Sequence, residues 1–405
     1  MPNILYRGKI IPRRKIHFIE GELYLAVKNL FRKNIFVQDT IPLFENKFSD
    51  FIGVKHSLAV SSGRFGMELI LRALNLNRGD EIIIPAYTLG NLAAIIKSLG
   101  LVPIPADINL ETFNLDPESI VKRLSSKTRV ILATHIFGVP CDIDKIIEIG
   151  KSKSLYIIED CAHSVGSEFK SRKTGFFGLA SFFSFEVIKP LNTYGGGMIA
   201  TNDEFLAEKV RKIYFSRRVK DEIPFRKIWP AFLENYLLPV ALSYPLLYLL
   251  SLPALNKAIY NIYRKLQKAS SIVSFSNFQA YLGLKKLESL EQRIAQRQRQ
   301  ARFLKSLLSN NIIPQYIGKD ILPNYYFFVA RLRSDPVRTR RYLLNRGIDS
   351  GIGAEIADDC GKLLGRYDCP NTSSVFNSTI HLPFHDDMPE DKIKYLSKVL
   401  NAALS

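Results

Sequence analysis

From about residue 46 the sequence alternates short apolar runs with helix-like stretches, and this alternation restricts the fold more than any other feature. The runs lie at 58–60, 81–85, 130–134, 155–159, 181–185 and 198–201, and segments of helical character at 67–74, 142–151 and 203–213 fall between them. Strands that alternate with helices imply βαβ units and a mostly parallel sheet. In such sheets ligands bind beyond the carboxyl ends of the strands, so the residues that follow each apolar run are where chemistry is expected.

The 405 residues suffice for two or three lobes. Residues 1–45 read as an N-terminal arm, with Arg13-Arg14-Lys15 as its densest basic cluster, and 46–225 as the large domain. Residues 226–270 interrupt the alternation as an insertion. From Tyr236 to Leu255 no residue is charged, and Pro239, Pro245 and Pro253 break the run. A helix-like stretch at 279–308 makes 271–310 a connecting helix, and 311–405 reads as a smaller α+β domain.

The formal net charge of +18 raises two options, nucleic acid or an anionic lipid or substrate. The basic residues are dispersed and no nucleic-acid module is visible, which sets nucleic acid aside. Cys141, Cys161, Cys360 and Cys369 include no CxxC pair, so no metal site is expected. The first residues lack an apolar core of signal-peptide length, so the cytoplasm is the expected location.

Three pieces carry chemistry. The strand-like run at 155–159 leads into Asp160, Cys161, Ala162 and His163. A carboxylate at a strand end can hold a proton on a ring nitrogen, although such acids also cap helices. Next, Ser184 precedes Lys189 by five residues, and Gly195-Gly196-Gly197 follow. A lysine beyond an apolar strand is a Schiff-base candidate, although a surface lysine before a turn has the same sequence. Finally, Ser61-Ser62-Gly63-Arg64 joins a strand to an apolar helix. Such a turn offers N–H groups to a phosphate, or only an N-cap.

The order of the three pieces suits a pyridoxal-phosphate (PLP) site. In that order the chain resembles the DegT/StrS-type sugar aminotransferases of the fold-type-I, aspartate-aminotransferase-like group. The matching stretches include 51–56 leading to Ser61-Ser62-Gly63, 79–88, 107–115, 135–138, 158–163, Phe183-Ser184-Phe185 with Lys189, and 201–203. Gln279-Ala280 and 382–385 extend the match toward the C-terminus.

The resemblance implies an α/β PLP-transferase fold: a mostly parallel seven-stranded sheet between helices, plus a smaller C-terminal α+β domain. It implies PLP as cofactor, with Lys189 carrying it and moving the substrate proton, and Asp160 on its ring nitrogen. His163 would touch its phenolic oxygen, and Ser184 with Ser62, Gly63 and Arg64 would hold its phosphate. Leu89 stands where the family has an aromatic over the ring, Arg64 where Thr is usual, Pro190 where Asn is common, and Gly196 in place of an acid. His135 is left between a structural and an active-site role. The implied reaction moves an amino group, from glutamate, onto a ketone of a nucleotide-activated sugar, in a homodimer, for cell-surface polysaccharide or amino-sugar synthesis. The alternatives are a PLP-dependent sugar dehydratase, against which Lys189 counts because such relatives carry His there, and a non-catalytic membrane-associated relative. The run 236–255, flanked by basic residues, suggests either packing on the enzyme or its dimer mate, or a shallow hairpin on the inner face of a membrane.

Overall fold

The computed structural model of the chain describes residues 9–31, 40–216, 225–240, 243–252, 255, 274–365 and 367–404. The six apolar runs and one further strand, Val102–Ala106, form one sheet of seven: β1 (His56–Val60), β2 (Glu81–Pro85), β3 (Val102–Ala106), β4 (Thr128–Thr134), β5 (Tyr156–Asp160), β6 (Ala180–Ser184) and β7 (Gly197–Thr201). Their order across the sheet is β1-β7-β6-β5-β4-β2-β3. Strand β7 runs antiparallel to both of its neighbours, and the pairs from β6 to β3 are parallel.

Strand side chains alternate between faces, and the sequence uses both faces for core. Ile82, Ile84, Val130, Leu132, Ile158 and Phe182 pack on one side with Leu69 and Ile70 of helix Gly63–Ala73. Ile83, Ile131, Ala133 and Ile157 pack on the other with Ile143 and Ile146 of helix Ile143–Lys153. Near β1, β6 and β7 that second side is filled by Phe44 and Phe48 of helix Thr40–Ile52, against Phe183 and Met198. This helix straddles the expected boundary between arm and large domain.

The C-terminal part builds a second, antiparallel sheet from β8 (Ile312–Pro314), β9 (Phe328–Leu332), β10 (Gly351–Ile352) and β11 (Thr379–Leu382), in the order β8-β9-β11-β10. The expected connecting helix is two helices, Asn277–Glu288 and Leu290–Leu307. The helical pattern runs through Ser289, whose backbone (φ −100°, ψ −3°) departs from the helix. The first of the two opens on a capping box of Ser276 and Gln279.

The arm does not hang free. Ile11 bridges Ile348, and the Ile10 N–H donates to the Pro239 carbonyl at 2.7 Å. In the insertion, helices Phe225–Leu237 and Tyr244–Ser251 are described, and 241–242, 253–254 and 256–273 lie outside the described residues. The uncharged run is therefore divided. Leu247 is buried against Ile10 and Leu344, so part of the run packs on the rest of the chain. Tyr236, Leu237, Leu246 and Leu249 remain exposed. No helix among the described residues is long and apolar enough to cross a membrane.

A buried ion pair fastens arm to core. Lys286 is fully buried and donates to Glu22 Oε1 at 2.8 Å and to Asn192 Oδ1 at 2.9 Å. The Tyr194 hydroxyl donates to the same Glu22 oxygen at 2.5 Å. Removing one partner leaves the other charge uncompensated, so Lys286→Ala should lower unfolding free energy by about 3–5 kcal/mol. The paired change Lys286→Met with Glu22→Gln should recover much of that loss. Urea denaturation followed by circular dichroism checks both.

Candidate active site

The carboxyl ends of β4, β5 and β6 meet where the topology places a ligand. Two adjacent acids end β5, and strand alternation sends them apart. Glu159 is fully buried and saturated. It accepts the N–H groups of Gly175 (2.8 Å), Phe177 (2.7 Å) and Gly178 (2.7 Å), and faces His135 Nε2 at 3.0 Å. His135 Nδ1 accepts the Cys141 N–H at 3.1 Å, so the ring is neutral at Nδ1 and donates from Nε2. His135 is thus structural. His135, Glu159 and Cys161 bring ligand atoms together, and the His135 and Glu159 atoms are already engaged in these hydrogen bonds.

Asp160 lines the pocket instead. Its Oδ1 accepts the Ala162 N–H at 3.0 Å, and among the described residues Oδ2 has only a long contact of 3.5 Å from the Thr134 hydroxyl. Burial pushes its carboxyl up from the ordinary range, opposed by the Ala162 N–H and by the Lys189 charge. A cation at Oδ2 would hold the acid ionised.

Lys189 follows β6 through a turn closed by its N–H on the Glu186 carbonyl at 2.9 Å. Its ammonium lies 4.4 Å from the centre of the Tyr326 ring. Burial pushes this amine down to about 7, with Asp160 and Glu186 opposing and Arg64 reinforcing the shift. Near neutral pH the group can therefore exist as the free amine a nucleophile requires.

Ser62 caps helix Gly63–Ala73 by accepting the Phe65 N–H at 3.2 Å, and it also lines the pocket, so cap and ligand readings coexist. The helix start presses on the end of β6. A Cβ on Gly63 would lie 2.9 Å from the Phe183 carbonyl oxygen and 3.2 Å from the Ser184 Cβ. A Cβ on Gly197 would lie 2.4 Å from the Phe183 oxygen and 2.6 Å from the Gly63 nitrogen. The two glycines bring the positive end of a helix, Arg64 and Ser184 around one corner of the pocket, an anion-binding arrangement.

His163 Nδ1 accepts the Phe137 N–H at 3.2 Å, and burial together with the Lys189 charge holds the ring well below its ordinary pKa. The ring is neutral and carries its proton on Nε2. It packs on Tyr326 (4.5 Å between centres), Tyr326 on Phe327 (4.0 Å) and Phe327 on His381 (4.0 Å). Leu89, at the start of helix Gly90–Ser98, lines the pocket and is 37% exposed.

All the expected site residues border one cavity of about 220 Å³. The sequence reading missed Arg13, Arg14, Tyr326, Phe327, Glu355 and His381, which border it too. Arg13 is bidentate on Asp349 (2.9 Å twice) and contacts Glu355 at 2.5 Å, and Arg340 holds the other Glu355 oxygen at 2.5 Å. Arg14 pairs with Glu234 of the insertion at 2.7 Å. Only the doubled arginine hinted at the arm's role.

The Lys189 shift gives a test with two opposite arms. Amine acetylation of the cofactor-free protein, read on the Lys189 peptide, should rise with pH through a midpoint near 7. Asp160→Asn removes a charge that favours the ammonium and should move the midpoint down. Arg64→Ala removes one that opposes it and should move it up. Movement in the other direction for either variant contradicts this electrostatic account.

The profile of the DegT/DnrJ/EryC1/StrS aminotransferase family matches residues 19–236 and 267–401. A GDP-perosamine synthase of Escherichia coli is 39% identical over 169 residues, which are 42% of this chain and 46% of that protein. The chain thus matches about half the length of such relatives. The spore coat polysaccharide biosynthesis protein SpsC of Bacillus subtilis is 26% identical over 86% of each chain. Among solved structures, Helicobacter pylori PseC, an aminotransferase involved in pseudoaminic acid biosynthesis, superposes with a TM-score of 0.77 at 19% identity. It covers 98% of this chain and 99% of that one, which shows the shared fold. With a family match across most of its length, the chain belongs to the DegT/DnrJ/EryC1/StrS aminotransferase family.

Proposed function

We propose that this protein is a PLP-dependent aminotransferase that moves an amino group, from glutamate, onto a keto group of a nucleotide-activated sugar. The carrying observation is the pairing in one pocket of a lysine pushed down to about 7 with the buried, half-satisfied carboxylate of Asp160. The residues fit the cofactor. Ser184, Ser62, Gly63 and Arg64 would hold its phosphate, Asp160 its ring nitrogen, His163 Nε2–H its phenolic oxygen, and Leu89 one ring face. When bound, PLP supplies an electron sink for the carbon that loses its proton.

The chain's own residues do the rest. Asp160 Oδ2 would accept the ring N–H and help hold the proton there; burial disfavours a lone carboxylate, and the pairing would offset that cost. Lys189, as free amine above pH 7, takes a proton from the substrate carbon and returns it to the acceptor. Tyr326 and His163 enclose the lysine and limit water around it. The E. coli relative is named for a GDP-sugar reaction and the B. subtilis relative for polysaccharide synthesis, which supports a nucleotide-sugar ketone for this chain. Retention of Lys189 weighs against dehydration, and the intact pocket against a non-catalytic relative.

The test is to incubate PLP-loaded protein with glutamate and a panel of nucleotide ketosugars and read the products by mass. Borohydride should fix the cofactor to the Lys189 peptide; labelling of another lysine refutes the assignment. Asp160→Asn should retain the fold and lose at least about a hundredfold in turnover. Unchanged turnover would mean that the ring nitrogen is held elsewhere.

We propose further that the protein works as a cytoplasmic homodimer and touches a membrane surface through the exposed part of 236–255. Tyr236, Leu237, Leu246 and Leu249 support that contact, with Arg226 and Lys227 nearby in the chain. The intact protein should sediment with anionic liposomes at low salt, and Leu246→Asp with Leu249→Asp should reduce this. If both stay in the supernatant, the membrane contact is refuted.

A further inference from the structure

Arm residues 9–18 separate two cavities. Arg13 and Arg14 border the active pocket, while Lys9, Lys15 and His17 border an outer cavity of about 600 Å³. Its other walls are Tyr236 and Asn235 of helix Phe225–Leu237, and His385 and Lys392 of the C-terminal domain.

The polar lining is incompletely used. Asp386 is held by Arg293 and Arg297, and Asp387 by Lys15 and His385. Both acids are therefore neutralised. Lys9 and Lys392 have no acidic partner among the described residues. The Nε2 atoms of His17 and His385 are buried without a hydrogen-bond partner among those residues. His385 is only 5% exposed, and its Nδ1 is fixed on Asp387 at 2.8 Å. A buried nitrogen without a partner costs free energy, and each such case calls for an explanation.

We propose that the outer cavity is a second ligand site, for a small phosphorylated anion. Its oxygens would lie on the Lys9 and Lys392 ammonium groups, where charge-assisted hydrogen bonds are strongest. His385 completes the site in either protonation state. A neutral ring accepts a phosphate hydroxyl proton at Nε2, and a cationic ring donates to an oxyanion there. Such a ligand bridges three elements: the arm through Lys9, the C-terminal domain through His385 and Lys392, and the insertion helix through the Asn235 wall. The arm is hydrogen-bonded to that helix, Ile16 to Asn235 in both directions at 2.8 and 2.7 Å. Ligand in the outer cavity therefore restrains the arm segment that carries Arg13 and Arg14 to the active pocket. The phosphate has two possible sources, a soluble metabolite or a phospholipid headgroup, because Tyr236 and Val240 are exposed beside the cavity.

The experiment reads lysines one at a time. PLP-loaded protein is briefly acetylated alone, with inorganic pyrophosphate, or with phosphatidylglycerol vesicles against phosphatidylcholine vesicles, and the peptides are quantified by mass. Acetylation of both Lys9 and Lys392 should fall about tenfold in at least one arm. Protection by pyrophosphate identifies a soluble ligand; protection by phosphatidylglycerol vesicles alone identifies a headgroup. By calorimetry in the arm that responds, Lys9→Ala with Lys392→Ala should weaken binding at least about tenfold. His385→Leu, with unfolding unchanged by circular dichroism, should lose the protection. Unchanged acetylation in every arm overturns the proposal. So does protection that survives His385→Leu, because the anion would then sit on surface lysines outside the cavity.

Discussion

The anion of Glu159, enclosed without solvent, organises the active end of the sheet. Three backbone N–H groups from the segment before β6 and the imidazole beyond β4 converge on it. Charge-assisted hydrogen bonds of this kind are among the stronger ones available to a protein. They set the end of β5 against its neighbours on both sides. Asp160, one residue on, therefore enters the pocket from a fixed backbone. The role proposed for it, as partner of a ring nitrogen, would gain from such anchoring, because catalytic geometry tolerates little displacement.

Around that anchor the pocket is assembled from distant parts of the chain. The large domain supplies the lysine, the acid and the anion corner; the C-terminal domain supplies Tyr326, Phe327, Glu355 and His381; the arm supplies Arg13 and Arg14. The Arg13, Arg340, Glu355 and Asp349 cluster places two cations between two acids, and its members are largely buried. This is a costly arrangement unless each charge is answered, and here each is. It fixes the arm on the C-terminal domain at the rim of the pocket, as the Lys286–Glu22 pair fixes it on the connecting helix Asn277–Glu288.

The sequence made the large domain legible because its information is local. Apolar runs of strand length alternate with helical segments, and Lys189, Asp160, Ser184 and the Ser62-Gly63-Arg64 turn follow strand ends within a few residues. Residues that reach the pocket through long-range packing carry no such mark. Tyr326 and Phe327 read as part of an ordinary apolar run, and Arg13 as one of many basic residues. The uncharged run 236–255 was ambiguous for a related reason. Its described helices are short, so a buried position such as Leu247 and exposed ones such as Leu246 and Leu249 look alike in sequence. Ser289 breaks a helix without a glycine or proline to announce it.

The position of the arm also orders the birth of the molecule. Ile10 and Ile11 meet Leu344 and Ile348, and Arg13 finds its acids at 349 and 355. The first described residues to leave a ribosome thus wait for segments made more than three hundred residues later. Contacts so far apart in sequence close slowly, and domains otherwise fold as they emerge. A large domain with its sheet already formed can precede a finished pocket, but the rim cannot close before residues 349 and 355 have been made. Incomplete chains are thereby left without the arm's two arginines in place at the rim of the pocket.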